Sequence, residues 1–302
     1  MEGRLELILV TGATSQVGIV LVKKLVQEGH KVRCLVRKTS NIEKLKSLQV
    51  EFAVGDIQDQ PTLEQALEDV ASIVHIAGMW YAPMILKACS SRSVQRIVFI
   101  GSTSRYKKLD SIDVNERKLA SSLAEAEAVI QKSGLNTVIL HPTMVYGVGR
   151  DKNIMQIISF IRKHGFYPVI GSGNALKCPV YAGDVAGAII KCLQSDKVNG
   201  KVYVISGKQP IPYKNMLKSI RGAMPKRGYL LHVPAFMGYI AVFLYRLLRP
   251  GTYINYAMVK RVNEDISYDI SPAVRDFGYD PVTFEEGISR LMDYLKSAGY
   301  FN

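Results

Sequence analysis

Between Lys197 and Asn263 the sequence has no aspartate or glutamate, although it places twelve lysines and arginines there. That stretch carries nearly all of the net charge of +13, so an anionic neighbour is expected for it. Cysteine is also sparse: Cys34, Cys89, Cys178 and Cys192 are scattered, and none falls in a C-x-x-C pair. This spacing suggests neither a disulfide framework nor a zinc site, and it fits buried thiols in a reducing compartment, so no metal is expected. No apolar run reaches the roughly 20 residues of a membrane-spanning helix. The opening MEGRLELILVTG lacks a basic and apolar leader, which argues for a cytoplasmic protein. Helix-turn-helix, zinc-finger and aromatic-rich RNA-binding signatures are missing, and with them the case for nucleic acid as a partner. Internal repeats and low-complexity segments are absent too.

What the chain does have is a core. With 48% hydrophobic residues in 302, it can build one large domain or two interlocked ones. The most informative segment comes first. Leu7 to Val10 reads as a buried strand, Thr11 to Val17 as a tight turn and Gly18 to Gly29 as an amphipathic helix. Gly12 allows the sharp turn and the close approach of a ligand. Thr14, Ser15, Gln16 and Val17 then bring the N–H groups and positive dipole end of the helix to a pyrophosphate. Ser15 stands where the usual fingerprint has its middle glycine. The second strand, Lys31 to Val36, runs into Arg37 and Lys38, and a guanidinium at this point suits a ribose 2′-phosphate where a carboxylate would suit a free hydroxyl. The cofactor is therefore expected to be NADP (NADPH) rather than NAD. Later strands, Glu51 to Val54, Ser72 to Ile76 and Arg96 to Ile100, also end in small or polar residues, as a cleft beyond the carboxyl ends of a parallel sheet requires.

Taken together, these segments resemble the short-chain dehydrogenase/reductase superfamily in its extended branch of nucleotide-sugar epimerases, dehydratases and related reductases, and the resemblance covers nearly the whole chain. VTGATSQVG resembles the cofactor turn. GDIQD, with Asp56 and Ile57, resembles the adenine contact, and HIAG, with Ala77 and Gly78, the loop under the cofactor ribose. IVFIGSTSRY resembles the strand carrying a catalytic Ser or Thr, here Ser102. ILHPTMVYGVG, with His141, Pro142 and Met144, resembles the sixth strand and the segment passing the nicotinamide. CPVYAGDVAGAII resembles a helix start with Asp184 as its cap, and SYDISPAVRDFGYDPVTFEEGI a C-terminal signature. The implied fold is α/β: a doubly wound parallel sheet over residues 1–170 for NADP, and a smaller substrate-binding part over 171–302. Residues near 177–206 of that part are expected to return to the main sheet.

The resemblance is weakest at the chemistry. The family pairs a Tyr with a Lys four residues later on one helix face, and no such pair occurs here. Lys118 would be matched by Val114, and the alternative alignment on Glu127 gives Leu119 and Leu123. His141 replaces the family's Arg. Three readings stay open. Tyr106 could supply the phenol, with Lys107, Lys108 or Lys118 lowering its pKa. Ser102 could relay the proton with a substrate group or water. The protein could also bind NADP as a sensor or structural element without turnover. As an enzyme it is expected to be an NADP-dependent epimerase, dehydratase or reductase acting on an anionic substrate such as a sugar nucleotide, held by the basic second part.

Within that basic part, Val233 to Tyr245 is uncharged and mostly apolar and is followed by Arg246 and Arg249. It reads as a buried helix. The alternative is a helix at a membrane surface over 233–249, which would go with a lipid or quinone-like substrate. A homodimer could form through the alanine-rich helix Leu119 to Ile130, or that helix could pack on its own sheet.

Overall fold

The computed structural model describes residues 6–226, 228–249 and 256–301. Residues 1–5, on which part of the reading of the amino terminus rests, and Arg227 of the basic stretch lie outside them. The first half contains β1 (Leu7–Thr11), α1 (Gln16–Gln27), β2 (Lys31–Val36), β3 (Glu51–Val54), α2 (Gln60–Ala66), β4 (Val70–His75), α3 (Ala82–Cys89), β5 (Arg96–Ile100), α4 (Ser104–Lys107), α5 (Val114–Gln131) and β6 (Thr137–Pro142). Every residue of β1, β5 and β6 is buried, because helices cover both faces of a parallel sheet. Alternation along β1 sends Ile8 and Val10 to one core and Leu7 and Leu9 to the other.

α1 shows how the local sequence sets the element. Ser15 is extended (φ −71°, ψ 168°), and its hydroxyl accepts from the Gly18 N–H at 3.0 Å, closing the first turn. Val17, Leu21, Val22 and Leu25 form the buried stripe, each side chain contributing about 2 kcal/mol on removal from water. The helix begins at Gln16 rather than Gly18 because Ser15 is its cap.

The second half continues with β7 (Val145–Tyr146), α6 (Ile154–His164), β8 (Phe166–Ile170), β9 (Leu176–Lys177), β10 (Val180–Tyr181), α7 (Ala182–Gln194), β11 (Val202–Ile205), β12 (Ile211–Pro212), α8 (Tyr213–Ala223), β13 (Tyr229–Val233), α9 (Ala235–Leu248), α10 (Tyr256–Val262), α11 (Ser271–Phe277) and α12 (Phe284–Ser297). The central sheet has seven parallel strands in the order β3-β2-β1-β4-β5-β6-β11. Strand order reverses between β1 and β4, so the loops leaving these strands diverge and open a crevice at the carboxyl edge. β11 pairs with β6, with Ile205 opposite Pro142, and α7 packs on α1. A separate core is built from α6, β8, α8 and α12 around Ile158, Leu217 and Leu291. α6 and β8 precede residue 171 and pack in this second core, whereas α7 and β11 follow it and join the sheet. The two parts interlock in both directions.

Two expectations are corrected. Asp184 does not cap α7, whose N-cap is Tyr181 without a side-chain bond. Its carboxylate accepts instead from the Val282 N–H at 3.1 Å and ties the C-terminal segment to the helix. α9 is not buried: of its residues only Gly238 and Val242 are covered, while Phe236 is 64% and Leu248 80% exposed. An apolar helix predicts burial because it has no polar face to turn to water. Here the fold offers it a narrow seat, with Ile170 and Val259 under Gly238. α5, the alanine-rich helix, packs on α3 and α4 within its own subunit. No helix among the described residues is long and apolar enough to cross a membrane.

Candidate active site at the carboxyl edge of the sheet

The turn between β1 and α1 lies against the loop after β4. Gly12 has φ +70°, and a Cβ there would stand 2.7 Å from the Ala77 nitrogen and 2.9 Å from the Ile76 carbonyl carbon. A Cβ on Gly18 would meet the Gly12 and Ala13 carbonyl oxygens at 2.4 and 2.6 Å. Both positions therefore need glycine, one for backbone against backbone and one for helix against turn. The Gln16 and Val17 N–H groups precede the first intrahelical bond, Ile19 N–H to Ser15 carbonyl, and remain for a ligand. Gln16 donates through Nε2 to the Val145 carbonyl at 3.0 Å, and its buried Oε1 has no partner. Arg150 donates to the Thr14 carbonyl at 2.6 Å, bracing the turn from the other side. A glycine cradle and free helix amides fit a dinucleotide diphosphate, whereas the orphaned Gln16 acceptor can take only a donor.

His75 was not singled out by sequence, yet it fixes this contact. Its Nε2–H donates to the Gly78 carbonyl at 3.1 Å, which leaves Nδ1 to accept from the Thr11 hydroxyl at 2.7 Å. Complete burial pushes its pKa down to about 4 against the Gly78 bond that would raise it, so the ring is neutral. Trp80 also escaped sequence reasoning: its ring lies over Gly78, where a Cβ would come within 2.2 Å of it. Arg37 follows β2, exposed. Its N–H donates to Ser40 Oγ, and among the described residues its guanidinium has no carboxylate partner. Asp56 accepts from the Gln58 N–H at 2.9 Å, and Ile57 packs against the core.

The chemistry end is organised by the His141 ring, which is completely buried. The Ser102 N–H donates to Nδ1 at 3.0 Å, and Nε2–H donates to Glu127 Oε2 at 2.9 Å. Arg105 Nε donates to the same Glu127 oxygen at 2.9 Å. Burial alone would raise the Glu127 pKa, but the hydrogen bond from His141 and the charge and hydrogen bond of Arg105 hold it below the usual carboxylate range. Gly101 makes room for the ring, since a Cβ there would lie 2.4 Å from His141 Nδ1. Ser102 Oγ accepts from the Ser104 N–H at 3.2 Å, which leaves its own proton free to donate. Pro142 accepts through its carbonyl from the Thr103 N–H at 3.2 Å, and Met144 likewise from Val180 at 2.9 Å.

Tyr106 stands with its ring edge-on to His141, centroids 5.4 Å apart, so Ser102 and Tyr106 both touch one imidazole. The expected lysine beside the phenol is not there. Lys108 pairs with Glu116 at 3.3 Å, and Lys107 and Lys118 are exposed. The charged groups that act on the phenol are Glu127 and Arg105, and its pKa is raised, first by burial and then by Glu127, with Arg105 partly offsetting them. Tyr268 closes the far side, 6.4 Å from the Tyr106 ring. Its buried hydroxyl comes up to Thr103 without a hydrogen bond of normal geometry. Glu127 carried a sequence signal of its own, a carboxylate on the sheet-facing side of an alanine-rich helix. Tyr268 carried none.

Residues 12–160 match a family model described as NAD(P)H-binding. The chain is similar to the 2-alkyl-3-oxoalkanoate reductase of Shewanella oneidensis, 24% identical over 93% of this chain and 84% of the relative. It is equally similar to the UDP-glucose 4-epimerase of Vibrio cholerae, 24% identical over 94% of this chain and 93% of the relative. Its fold matches the crystal structure of the Bordetella bronchiseptica enzyme WbmH in complex with NAD+, with a TM-score of 0.74 and 19% identity over 97% of this chain and 99% of that one.

Proposed function

We propose, from the premise that this chain carries an NAD(P)-binding domain whose homologues and structural neighbours belong to the extended short-chain dehydrogenase/reductase superfamily, that it is an NADPH-dependent carbonyl reductase of an anionic substrate. What carries the reductive direction is the setting of Tyr106. Its ring lies edge-on to His141, Lys107 and Lys118 are exposed and Lys108 is paired with Glu116, and burial and the anionic Glu127 raise the phenol's pKa. A phenol so placed is protonated at neutral pH. It can donate to a carbonyl oxygen as negative charge develops there, but it is a poor base for taking a proton from an alcohol. Epimerases and dehydratases begin by oxidising an alcohol, and a lysine that lowers the phenol's pKa would serve that step.

The dinucleotide, when bound, supplies the hydride to the carbonyl carbon. Gly12, Thr14, Ser15, Gln16 and Val17 would hold its diphosphate, Arg37 a 2′-phosphate, and Asp56, Ile57, Ala77 and Gly78 the adenosine half. Pro142 and Met144 would line the nicotinamide. Ser102 Oγ, its lone pair taken by Ser104, donates to the substrate oxygen. Tyr106 passes its proton to that oxygen and regains one from solvent, to which it is 40% exposed. His141 holds Ser102 and Tyr106 in register from behind, as a positioning residue. That the Shewanella relative is a 2-alkyl-3-oxoalkanoate reductase supports a ketone substrate, and the carboxylate of an oxoalkanoate agrees with the basic second part. A sugar nucleotide would satisfy the same charge.

The test is NADPH consumption with anionic ketones, 3-oxoalkanoates and 4-keto sugar nucleotides among them, by the full chain and by Ser102→Ala and Tyr106→Phe. Turnover that falls at least a hundredfold in Tyr106→Phe, with NADPH binding unchanged, supports the reading. NADPH binding without turnover of any substrate would favour the non-catalytic alternative.

A further inference from the structure

The α9 helix presents its apolar side to solvent. Successive residues of a helix are about 100° apart, which sets Phe236, Ile240, Phe243 and Leu247 in one stripe opposite Gly238 and Val242, the two positions that are covered. Leu247 is 69% exposed at the end of the stripe. Ordinary surface helices are arranged the other way round, with the polar side outward. The preceding strand adds Tyr229 and Leu231, also exposed, so the apolar surface is continuous along the chain from β13 through α9. With 14 residues the helix is about 21 Å long, shorter than the hydrocarbon thickness of a bilayer, and it cannot cross one.

We propose that this face seats the protein on an anionic lipid bilayer, with α9 lying in the plane of the headgroups. The charge around it selects the occupant. Arg246 and Arg249 stand exposed at its carboxyl end and Lys226 just before β13, within a stretch of twelve cations and no carboxylate. Two copies meeting through this face would bring together two copies of a stretch that holds twelve cations and no carboxylate. An anionic membrane offers hydrocarbon for the stripe and phosphates for the rim at once. Tyr229, Tyr239 and Tyr245 are exposed on the same elements, and tyrosine favours the boundary between hydrocarbon and water.

The seat is joined to the rim of the candidate active site. Tyr239 stacks on Tyr256 at 6.4 Å, and a Cβ on Gly238 would touch Val259, which ties α9 to α10. From α10, Arg261 reaches Glu116 at the start of α5, and Lys177 donates at 2.7 Å to the Arg261 and Glu264 carbonyls. The chain then passes Tyr268 beside Tyr106. Docking therefore holds the cleft mouth near the bilayer, and it stands whether or not the protein turns over a ketone.

Vesicle flotation of the full chain tests this, with phosphatidylcholine alone and with phosphatidylcholine containing phosphatidylglycerol, at low salt. The bound fraction is expected to be at least tenfold higher on the anionic vesicles and to fall at least tenfold in the triple variant Phe236→Glu, Phe243→Glu, Leu247→Glu. These positions are exposed, so thermal unfolding and NADPH binding should match the parent and confirm that the variant folds. Absence of binding to anionic vesicles overturns the proposal. Binding that survives the triple variant also overturns it, because charge alone would then account for adhesion. A parent that is dimeric by light scattering and a variant that is monomeric would assign the face to a second copy instead.

Discussion

The two ends of the candidate cleft are built by different means. At the cofactor end the contacts run backbone to backbone: the Gly12 turn against Ala77, the Gly18 helix against the Ala13 carbonyl. At the chemistry end, side chains from distant segments meet on one buried imidazole, with Ser102, Glu127 and Tyr106 around His141. Backbone contacts leave one amino acid possible at each position, whereas a cluster of side chains can exchange its members and keep its shape. The resemblance to the extended short-chain dehydrogenase/reductase pattern is accordingly close at the first end and weak at the second.

The largest effect should come from breaking the backbone contact. Gly12→Ala places a methyl group 2.7 Å from the Ala77 nitrogen at φ +70°, which should cost about 3 kcal/mol in strain and displacement and weaken NADPH binding by tenfold or more. Gly134→Ala is the control, with a similar φ of +69° but nothing within 4 Å; it should cost only about 1 kcal/mol. Urea unfolding and calorimetry read both. Equal costs for the two variants would show that the close approach at Gly12 is unimportant.

The clasp behind that contact should be visible in pH dependence. Burial holds the folded His75 pKa at about 4, below its ordinary 6.5. Between these values the unfolded chain binds a proton on this ring that the folded chain does not, so stability falls as pH falls through the window. The loss is about 3 kcal/mol, at roughly 1.4 kcal/mol per pKa unit. Above pH 6.5 the ring is neutral in both states and its contribution is complete. Urea midpoints of the parent and His75→Gln should differ most at pH 7 and converge toward pH 4. Parallel curves would refute the neutral clasp.

How much of this could be read from sequence follows the same division. Gly12, Ser15 and Gly18 lie within two turns of chain, and their constraint is local, so the strand, the turn and the helix were all legible. The stretch expected to rejoin the sheet is broad, 177–206, and within it the strand that pairs with β6 is Val202–Ile205, while β9 and β10 pair elsewhere. The His141 cluster was not legible. Glu127, Arg105 and Tyr268 meet only because the chain doubles back between them, and nothing in their spacing says so. The lysines expected to act on Tyr106 lie near it in sequence, but α4 and α5 turn them to Glu116 or to solvent. α9 shows a second limit. α1 and α9 are both apolar, and hydropathy reports how much apolar surface each has, not what the fold provides to cover it.

At the chemistry end, Glu127→Gln sharpens the contrast. The amide oxygen can still accept from His141, but Arg105 loses its counter-charge, which should cost about 2 kcal/mol. The more telling readout is the phenol. Glu127 is the largest charge raising the Tyr106 pKa, so the alkaline limb of the pH-rate profile should move to lower pH in Glu127→Gln. A purely structural role would lower stability and leave that limb in place. Lys118→Ala, on the exposed side of α5, should leave it in place as well.

The smallest effect tests where the comparison fails. Arg37 lies at the cofactor end, yet its contribution is a side chain on the surface rather than a backbone contact, and solvent screens its charge. Its proposed role is to distinguish the 2′-phosphate from a hydroxyl. Arg37→Ala should therefore weaken NADPH by about tenfold, the scale of one charge-assisted contact, while NADH binding changes little. The diphosphate cradle is unaltered, so both cofactors should still bind. Equal weakening of NADPH and NADH would mean that Arg37 supports the fold of the loop after β2, where its own N–H holds Ser40. The choice of cofactor would then rest elsewhere, and Lys38 is the next cation along the chain to replace.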